Sequence, residues 1–363
     1  MNAPFAPFAS TIRLAALDQP DEAARIEAFV AAHPLGTAFH RPAWLRAVAQ
    51  GTGNRAHAIV AERGAELVGY LPLSEIHSPV FGRLLASSGF AVDGGALVGA
   101  DEKRGGGDAA ALVRATEELS QRLSCPGIEL RGGVLPPAGA GWALREGAHA
   151  GFVRPLAADD EAELLQIPRK QRAEVRKGLS GDLTVEVGRD AAMRAAHHAV
   201  YAESVRNLGT PVFPEALFSA VLDAFGDDAD ILTVSHRGQP VASVLSLYHA
   251  GAVMPYWGGG TPAARHLRAN DRMYYELMLH ARRRGCDRFD FGRSKTGSGP
   301  FQFKRNWGFE PQPLTYASWT APGAPARDAD PTSARHAAQI AVWRRLPLAI
   351  ANRLGPIIAR GLG

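Results

Sequence analysis

Short runs of alternating apolar and polar residues, each broken by an Arg-Gly turn, occur twice along the chain. Residues 58–71 and 231–245 both follow the order strand, turn, strand, with an offset of 174 positions between them. An aromatic residue and the spacing of a short amphipathic helix precede each pair, at residues 39–48 and 213–222. The same elements in the same order favour an internal duplication.

A cysteine precedes a further short apolar strand in each half. Cys125 is followed four positions later by Glu129, and Cys286 is followed in the same way by Asp290. The offset has fallen to 161 positions here, so the first half holds about a dozen extra residues. The glycine-rich stretch 99–108 is the simplest place for them, and we expect a loop there.

The pattern of each half therefore predicts a helix, three strands, a helix and a strand. A final strand is expected near Phe152 in the first half and at residues 314–316 in the second. Antiparallel strands with crossing helices predict a mixed α/β sheet, built as two tandem domains of the same kind. The polar run 157–163 separates them. The expected parts are residues 1–156 and 157–319 for the two domains, 320–332 for a linker rich in proline and alanine, and 333–363 for a basic amphipathic tail.

A basic helix is predicted at residues 167–178, directly after the boundary. Gly178 suits the C-cap of this helix, and the negative end of the helix dipole stabilises the cations of its last turn. Arg172 and Arg176 put positive charge on its surface.

The tail contains five arginines and no acidic residue, together with Trp343 and many aliphatic residues. Two interpretations are open. The tail lies on an anionic membrane surface, or it packs on the domain as a C-terminal helix interrupted at Pro347 and Pro356.

Composition narrows the class of protein. Of the 363 residues, 46% are hydrophobic and 21% are charged, which is typical of a packed soluble protein. The net charge of +4 is too small for a nucleic-acid coat, so DNA is not expected as a partner. Two cysteines exclude a disulfide framework. With neither a signal peptide nor a long apolar span, we expect a cytoplasmic protein, with the inner-membrane surface as the alternative that the tail raises.

Candidate chemistry is densest between residues 256 and 309. Three glycines follow Tyr256 and Trp257 and would allow a ligand to approach the backbone closely. Asn270 suits the N-cap of the next helix, whose free amides attract anions. The loop expected at 292–300 has glycines and cations but lacks the lysine of a Walker phosphate loop.

Other chemistries find little support. The chain has no HExxH, no cysteine pair at zinc spacing and no GxSxG elbow, so we expect neither a metal nor a serine nucleophile. A basic, aromatic, glycine-rich cleft with the strand acid Asp290 suits transfer of an activated acyl group to an amine, where the protein positions reactants and stabilises an oxyanion.

The string Phe289-Asp290-Phe291-Gly292, followed by Phe303-Lys304 and Trp307-Gly308-Phe309, resembles the signature of the FemAB peptidyltransferases. It is most similar to FemAB-like proteins associated with PEP-CTERM/exosortase and exopolysaccharide systems. The resemblance covers most of residues 35–320.

This resemblance implies two tandem GNAT-type acyltransferase modules. It implies an aminoacyl- or acyltransferase that acts on an amine or hydroxyl of a cell-envelope or exopolysaccharide precursor, small or lipid-linked. Aminoacyl-tRNA or acyl-CoA would be the donor, with no tightly bound cofactor. The sequence departs from the pattern in two ways: it has no room for a tRNA-binding arm, and the coenzyme A pyrophosphate signature is missing after Trp257.

The resemblance places the motif lysine at Lys304, which with Arg293 would stabilise the oxyanion while Asp290 orients both. Tyr256 and Trp257 would line the acyl channel, and Arg172 and Arg176 would attract an anionic substrate. The remaining candidate binding residues are Gly258, Gly259, Asn270, Lys295 and Phe303. The alternative function is a catalytically inactive GNAT-like protein that binds a ligand for the same envelope pathway.

Overall fold

A computed structural model describes residues 10–78, 81–99, 102–324 and 337–363, with side chains omitted for 102–106 and 337–339. The first half contains a four-stranded antiparallel segment and three helices. Its elements are β1 (Thr11–Leu14), α1 (Pro20–Ala32), α2 (Pro42–Thr52), β2 (Arg55–Arg63), β3 (Glu66–Ser78), β4 (Gly82–Ser87), β5 (Leu97–Val98), α3 (Glu102–Arg122), β6 (Gly127–Arg131) and β7 (Trp142–Pro155).

The second half repeats this plan with additional helices before it. Its elements are α4 (Asp160–Gln166), α5 (Arg169–Ser180), β8 (Thr184–Gly188), α6 (Ala191–Leu208), α7 (Glu215–Phe225), β9 (Ala229–His236), β10 (Gln239–His249), β11 (Ala252–Gly260), α8 (Pro262–Leu267), α9 (Ala269–Arg283), β12 (Arg288–Lys295), α10 (Gly299–Asn306) and β13 (Gln312–Thr320), followed by α11 (Ala337–Trp343) and α12 (Leu348–Ala359).

All strands join one continuous sheet in the order β1-β2-β3-β4-β6-β13-β7-β12-β11-β10-β9-β8, with β5 beside β3. The order is symmetric about its centre: β4 pairs with β6 in parallel on one side, and β11 pairs with β12 in parallel on the other. The mixed α/β class and the duplication are therefore confirmed.

The two halves exchange their last strands at the centre of the sheet. β13 from the second half pairs with β6 of the first, and β7 from the first half pairs with β12 of the second. β7 and β13 also pair with each other over most of their length. The exchange places residues from both halves side by side on neighbouring strands.

The halves also share apolar packing. Trp44 of α2 stacks on Trp257 of β11, with ring centroids 5.7 Å apart, inside a core cluster drawn from both halves. Gly51 of α2 lies so close to α7 that an added Cβ would be 2.3 Å from the Cα of Leu217. Only a glycine lets these two helices approach this closely.

Several local predictions are wrong. The stretch 99–108 is helical from Glu102 onward, so the extra residues are not a loop. Helix α5 continues through Gly178 to Ser180, and Gly178 faces the carbonyl of Arg268, where an added Cβ would be 2.9 Å away. Its glycine serves helix packing, not capping.

The glycines expected to follow a strand lie inside one. Gly258 and Gly259 pair with β10, and an added Cβ at Gly259 would lie 2.5 Å from the hydroxyl of Ser204 on α6. Residues 292–295 likewise continue β12 along β7. Asn270 is the second residue of α9, whose N-cap is Arg268 in the left-handed region, so Asn270 is not the cap.

The start of α4 is fixed by a buried ion pair. Glu163 is fully buried, accepts a hydrogen bond from the amide of Ala157 at 2.8 Å, and pairs with the guanidinium of Arg154 on β7. Removing one partner of a buried pair leaves the other charge uncompensated.

We therefore expect Glu163→Ala to lower the free energy of unfolding by about 3–5 kcal/mol. Glu161→Ala, at an exposed site of the same helix, should change it by less than about 0.5 kcal/mol. Urea titrations followed by circular dichroism measure both. Equal midpoints for the two variants would show that the ion pair contributes nothing.

The tail packs on the body through α11 and α12. Arg344 donates to the carbonyl of Leu208, and Asn54 donates to the carbonyl of Arg360. Within the described residues, no helix combines the length and apolarity that a membrane crossing needs. Residues 325–336, which hold part of the expected linker and tail, lie outside the described residues.

Candidate active site

A cavity of about 360 Å³ opens where the exchanged strands meet. Its wall combines residues of both halves. The polar and charged lining residues are Thr37 and Asp93 from the first half and Asp290, Arg293, Gln312, Thr315 and Tyr316 from the second. A cavity with a few convergent polar groups is the usual form of a small-molecule site.

A bulge in β12 aims two of these side chains into the cavity. Asp290 pairs with Val153, and Arg293 pairs with Gly151, so three steps on β12 match two on β7. Gly292 adopts a φ of +67° within the bulge, and its amide donates to Oδ1 of Asp290 at 2.8 Å. In a regular strand, residues three apart face opposite sides; the extra residue brings Asp290 and Arg293 to the same cavity.

The facing wall carries Asp93, on the loop that follows β4. The amide of Gly94 donates to Oδ1 of Asp93 at 2.6 Å. Gly132, with a φ of +69°, lies against this carboxylate, and an added Cβ would be 2.1 Å from Oδ1. Buried His40 fixes the same loop through Nε2 and the carbonyl of Gly95, which are 3.1 Å apart. Burial lowers the pKa of His40 to about 3, so the ring is neutral.

Hydrogen bonds connect the two walls. Arg293 donates to the hydroxyl of Tyr316 at 2.9 Å, and this hydroxyl donates to the carbonyl of Val92 at 2.9 Å. The guanidinium also lies over the Tyr316 ring, 5.4 Å from its centroid. Tyr316 of β13 therefore ties the β12 bulge to the loop that holds Asp93.

Both cavity carboxyls have raised pKa values. Burial and, to a smaller extent, the negative charge of Asp290 raise the pKa of Asp93 to about 6, while the amides of Gly94 and Gly95 oppose the shift. Burial also raises the pKa of Asp290, while the amide of Gly292 and the charge of Lys304 oppose that shift. A carboxylate that titrates near neutral pH is suited to accept a proton from an attacking amine.

Lys304 lies behind the bulge, on α10. Its Nζ donates to the carbonyls of Gly292 at 3.2 Å and Arg293 at 2.9 Å. It also lies over the rings of Phe152 and Phe291, 5.4 and 5.5 Å from their centroids. Burial lowers the pKa of this lysine to about 8. The structure thus places Lys304 in contact with the backbone that carries Asp290 and Arg293.

The predicted aromatic channel is packed instead of open. Trp257 is 4% exposed and lies in the core shared by the two halves. The Tyr256 hydroxyl donates to the carbonyl of Phe90, which precedes the Asp93 loop. Neither residue lines the cavity; Met254 of the same strand does. Gly258 and Gly259 face neighbouring side chains, and Phe303 packs against Phe291 and Trp307.

The remaining predicted binding residues lie elsewhere. Arg172 donates to the carbonyls of Ile167 and Leu165, and together with Arg176 it borders a shallow groove along α5. Lys295 is exposed at the end of β12, and Asn270 lies in the first turn of α9. The structure brings Asp290, Arg293 and Lys304 together and leaves these four outside the cavity wall.

Sequence reasoning missed Asp93 and Tyr316. Asp93 is followed by Gly94 and Gly95, and an acid before two glycines is a signal for a tight, close-packed loop. No feature of Tyr316 itself distinguishes it from an ordinary strand tyrosine.

The closeness of Gly132 to Asp93 gives a test of the loop geometry. Gly132→Ala forces the carboxylate to move, so we expect about a hundredfold loss of transfer activity, as for a misplaced reacting group. Gly64→Ala introduces the same backbone strain, because Gly64 also has a left-handed φ, +64°. Nothing lies within 4 Å of the Cβ added there, so no neighbouring group has to move. That control should lose only about 1 kcal/mol of stability. Equal activity of the two variants would contradict this placement.

The comparisons with known proteins agree with this fold. A family model described as an acetyltransferase (GNAT) domain matches residues 168–305. The crystal structure of FemX gives a TM-score of 0.63 at 17% identity and covers 81% of this chain and 95% of that one. A comparison with curated proteins gave no significant match.

Two further structures are similar. A tandem GNAT protein from the clavulanic acid biosynthesis pathway gives a TM-score of 0.56 at 11% identity, covering 87% of this chain and all of that one. L-PGS from Bacillus licheniformis gives 0.52 at 12% identity, covering 90% and 96%. At these identities the likeness concerns the fold, and the fold is a tandem GNAT-like one. Among the described residues, no cluster of His, Cys, Asp and Glu suits a metal ion.

Proposed function

We propose that the protein transfers an aminoacyl or acyl group to an amine in the cavity between its halves. The observation that carries this proposal is that two carboxyls, Asp93 and Asp290, line one cavity together with Arg293, and that the charge of Asp290 raises the pKa of Asp93. The GNAT-like fold and the FemX and L-PGS neighbours support an acyl or aminoacyl transferase as the general class.

The chemistry follows from the charges. The amine nitrogen attacks the carbonyl carbon of the donor, and the C–N bond forms as the amine proton passes to Asp93. Arg293 stabilises the negative charge on the carbonyl oxygen. The bond to the leaving oxygen or sulfur then breaks, and Asp93 returns its proton to that atom. The charge of Asp290 helps to keep the pKa of Asp93 raised, and the hydroxyl of Tyr316 accepts a hydrogen bond that holds the guanidinium of Arg293.

Lys304 has a supporting role in this scheme. Its ammonium holds the two carbonyls of the bulge, so it fixes where Asp290 and Arg293 point. An ammonium has three N–H groups, and two of them donate to these carbonyls. Direct contact of the third with the oxyanion, the role that the motif implies, stays a prediction.

The finer proposal concerns substrates. We propose an aminoacyl-tRNA donor ahead of acyl-CoA, because the coenzyme A pyrophosphate signature is missing after β11, where Gly258 and Gly259 remain paired in the sheet. The acceptor is then an amine or hydroxyl of a cell-envelope precursor. A role in an exopolysaccharide or PEP-CTERM pathway is the narrowest form of this proposal and rests on the sequence resemblance alone.

A binding and transfer experiment tests the donor. Purified protein is titrated with charged tRNA, uncharged tRNA and a panel of acyl-CoA thioesters, and transfer of labelled acyl groups to amino-sugar and lysine-containing acceptors is then followed. Preferential binding and turnover of charged tRNA is the expected result. Turnover of one acyl-CoA alone would overturn the donor assignment, and saturable binding without any turnover would favour a ligand-binding protein.

A further inference from the structure

Helix α12 presents its apolar side chains in an unusual arrangement. Ile350, Leu354 and Ile357 follow the i, i+4, i+7 spacing of one helix face and are 46%, 43% and 59% exposed. The face that packs on the body carries small buried residues: Ala351, Gly355 and Ala359. A surface helix normally buries its large apolar residues and exposes polar ones. Helix α12 instead exposes three large apolar residues and buries only small ones.

The orientation of α12 is fixed by tight packing. An added Cβ at Gly355 would lie 2.9 Å from both the backbone nitrogen and the side chain of Val212. At Gly361, just after the helix, an added Cβ would meet the Ser78 side chain at 2.5 Å. Larger side chains have no space on this side, so α12 cannot rotate to bury its isoleucines and leucine.

The charged side chains of the tail itself are of one sign only. Arg344, Arg345, Arg353 and Arg360 are exposed on the tail, and residues 333–363 contain no acidic residue. Val342 of α11 adds an exposed apolar side chain to this tail surface, 63% accessible. Leu208, whose carbonyl accepts a hydrogen bond from Arg344, adds another, 60% accessible.

We propose that this surface, made by α12 with its flanking arginines, binds an anionic phospholipid bilayer. Aliphatic side chains enter the boundary between headgroups and acyl chains, and the arginines lie near the lipid phosphates. A symmetric dimer through the same surface would bring the arginines of two copies together without acidic partners from this segment, which opposes association. The inference does not depend on the proposed transferase activity.

Vesicle sedimentation tests the proposal with the full-length protein. Binding to phosphatidylglycerol-rich vesicles should be strong, should weaken as salt is added, and should be much lower on pure phosphatidylcholine. The apolar variant Ile350→Ser/Leu354→Ser/Ile357→Ser should bind about tenfold more weakly or worse. Its control is Leu14→Ser/Leu165→Ser, two exposed leucines outside the tail.

The charge contribution is tested separately. Arg345→Gln/Arg353→Gln should weaken binding by about fivefold for each arginine, and Arg46→Gln/Arg114→Gln, at exposed sites of the first half, should not. Thermal melting checks that every variant is folded, and transfer to a soluble acceptor should be unchanged in all of them.

Three results would overturn the proposal. The first is equal binding of the apolar variant and its control. The second is equal binding of the protein to neutral and anionic vesicles. The third, in sedimentation velocity, is a dimer of the wild-type chain that the apolar variant dissociates, which would assign the surface to self-association.

Discussion

Replacing the carboxyl of Asp93 by its amide should lower the transfer rate by about 10²- to 10⁴-fold, the usual contribution of a general base, and Asp290→Asn, which removes only a neighbouring charge, should lower it less. Asp93→Asn keeps an oxygen for the Gly94 amide, and Asp290→Asn keeps one for Gly292, so the loop and bulge stay folded. Single-turnover rates with saturating donor and acceptor measure the effect. Asp182→Asn, at an exposed site, is the matched control.

The pH dependence distinguishes a base from a structural group. Asp93 accepts a proton only when ionised, so the rate of the wild type should rise with pH through about 6. Asp290→Asn removes a negative charge that raises the pKa of Asp93, so the remaining activity should rise at a lower pH. If the transfer rate of Asp290→Asn rises at the same pH as that of the wild type, the two carboxyls do not interact.

Lys304→Met should cost both stability and activity. The methionine cannot donate to the carbonyls of Gly292 and Arg293, and each unsatisfied buried acceptor costs about 1–3 kcal/mol. The loosened bulge misplaces Asp290 and Arg293, for which we expect about a hundredfold loss in rate. Arg305→Met, at an exposed position of the same helix, should leave both quantities nearly unchanged.

The titration of Lys304 predicts that the transfer rate falls at alkaline pH. Its pKa is lowered to about 8, so the ammonium loses its charge as pH rises through that value and the rate should fall. Lys304→Arg keeps a cation at every accessible pH, so whatever activity it retains should not fall in this way. A wild-type rate that stays constant up to pH 10 would contradict a role for the charged form.

The mixed α/β class and the duplication could be predicted from the sequence because alternation and turn residues are local signals. The strand pairs around Gly64 and Gly238 and the helices before them repeat in order, and their duplication follows from that repetition. The exchange of β7 and β13 has no such signal, because a strand's pattern does not tell which neighbour it pairs with. Half of the site depends on that exchange.

The candidate site was predicted in part for the same reason. Asp290, Arg293 and Lys304 lie close together in sequence, and the motif around them identifies the region. Asp93 lies almost two hundred residues earlier and meets them only across the junction. The glycines after Trp257 were interpreted as space for a ligand, whereas they give space to Ser204 and Val244. Sequence alone does not say which neighbour a glycine admits.

Photoaffinity labelling tests most directly whether one site is built from both halves. The donor that turns over is prepared with a diazirine on its acyl group, bound, irradiated and mapped by mass spectrometry. We predict labels on residues 92 and 93 of the first half and 312–316 of the second, both lost when unlabelled donor competes. Labels confined to one half, or to the arginines of α5, would contradict a shared site.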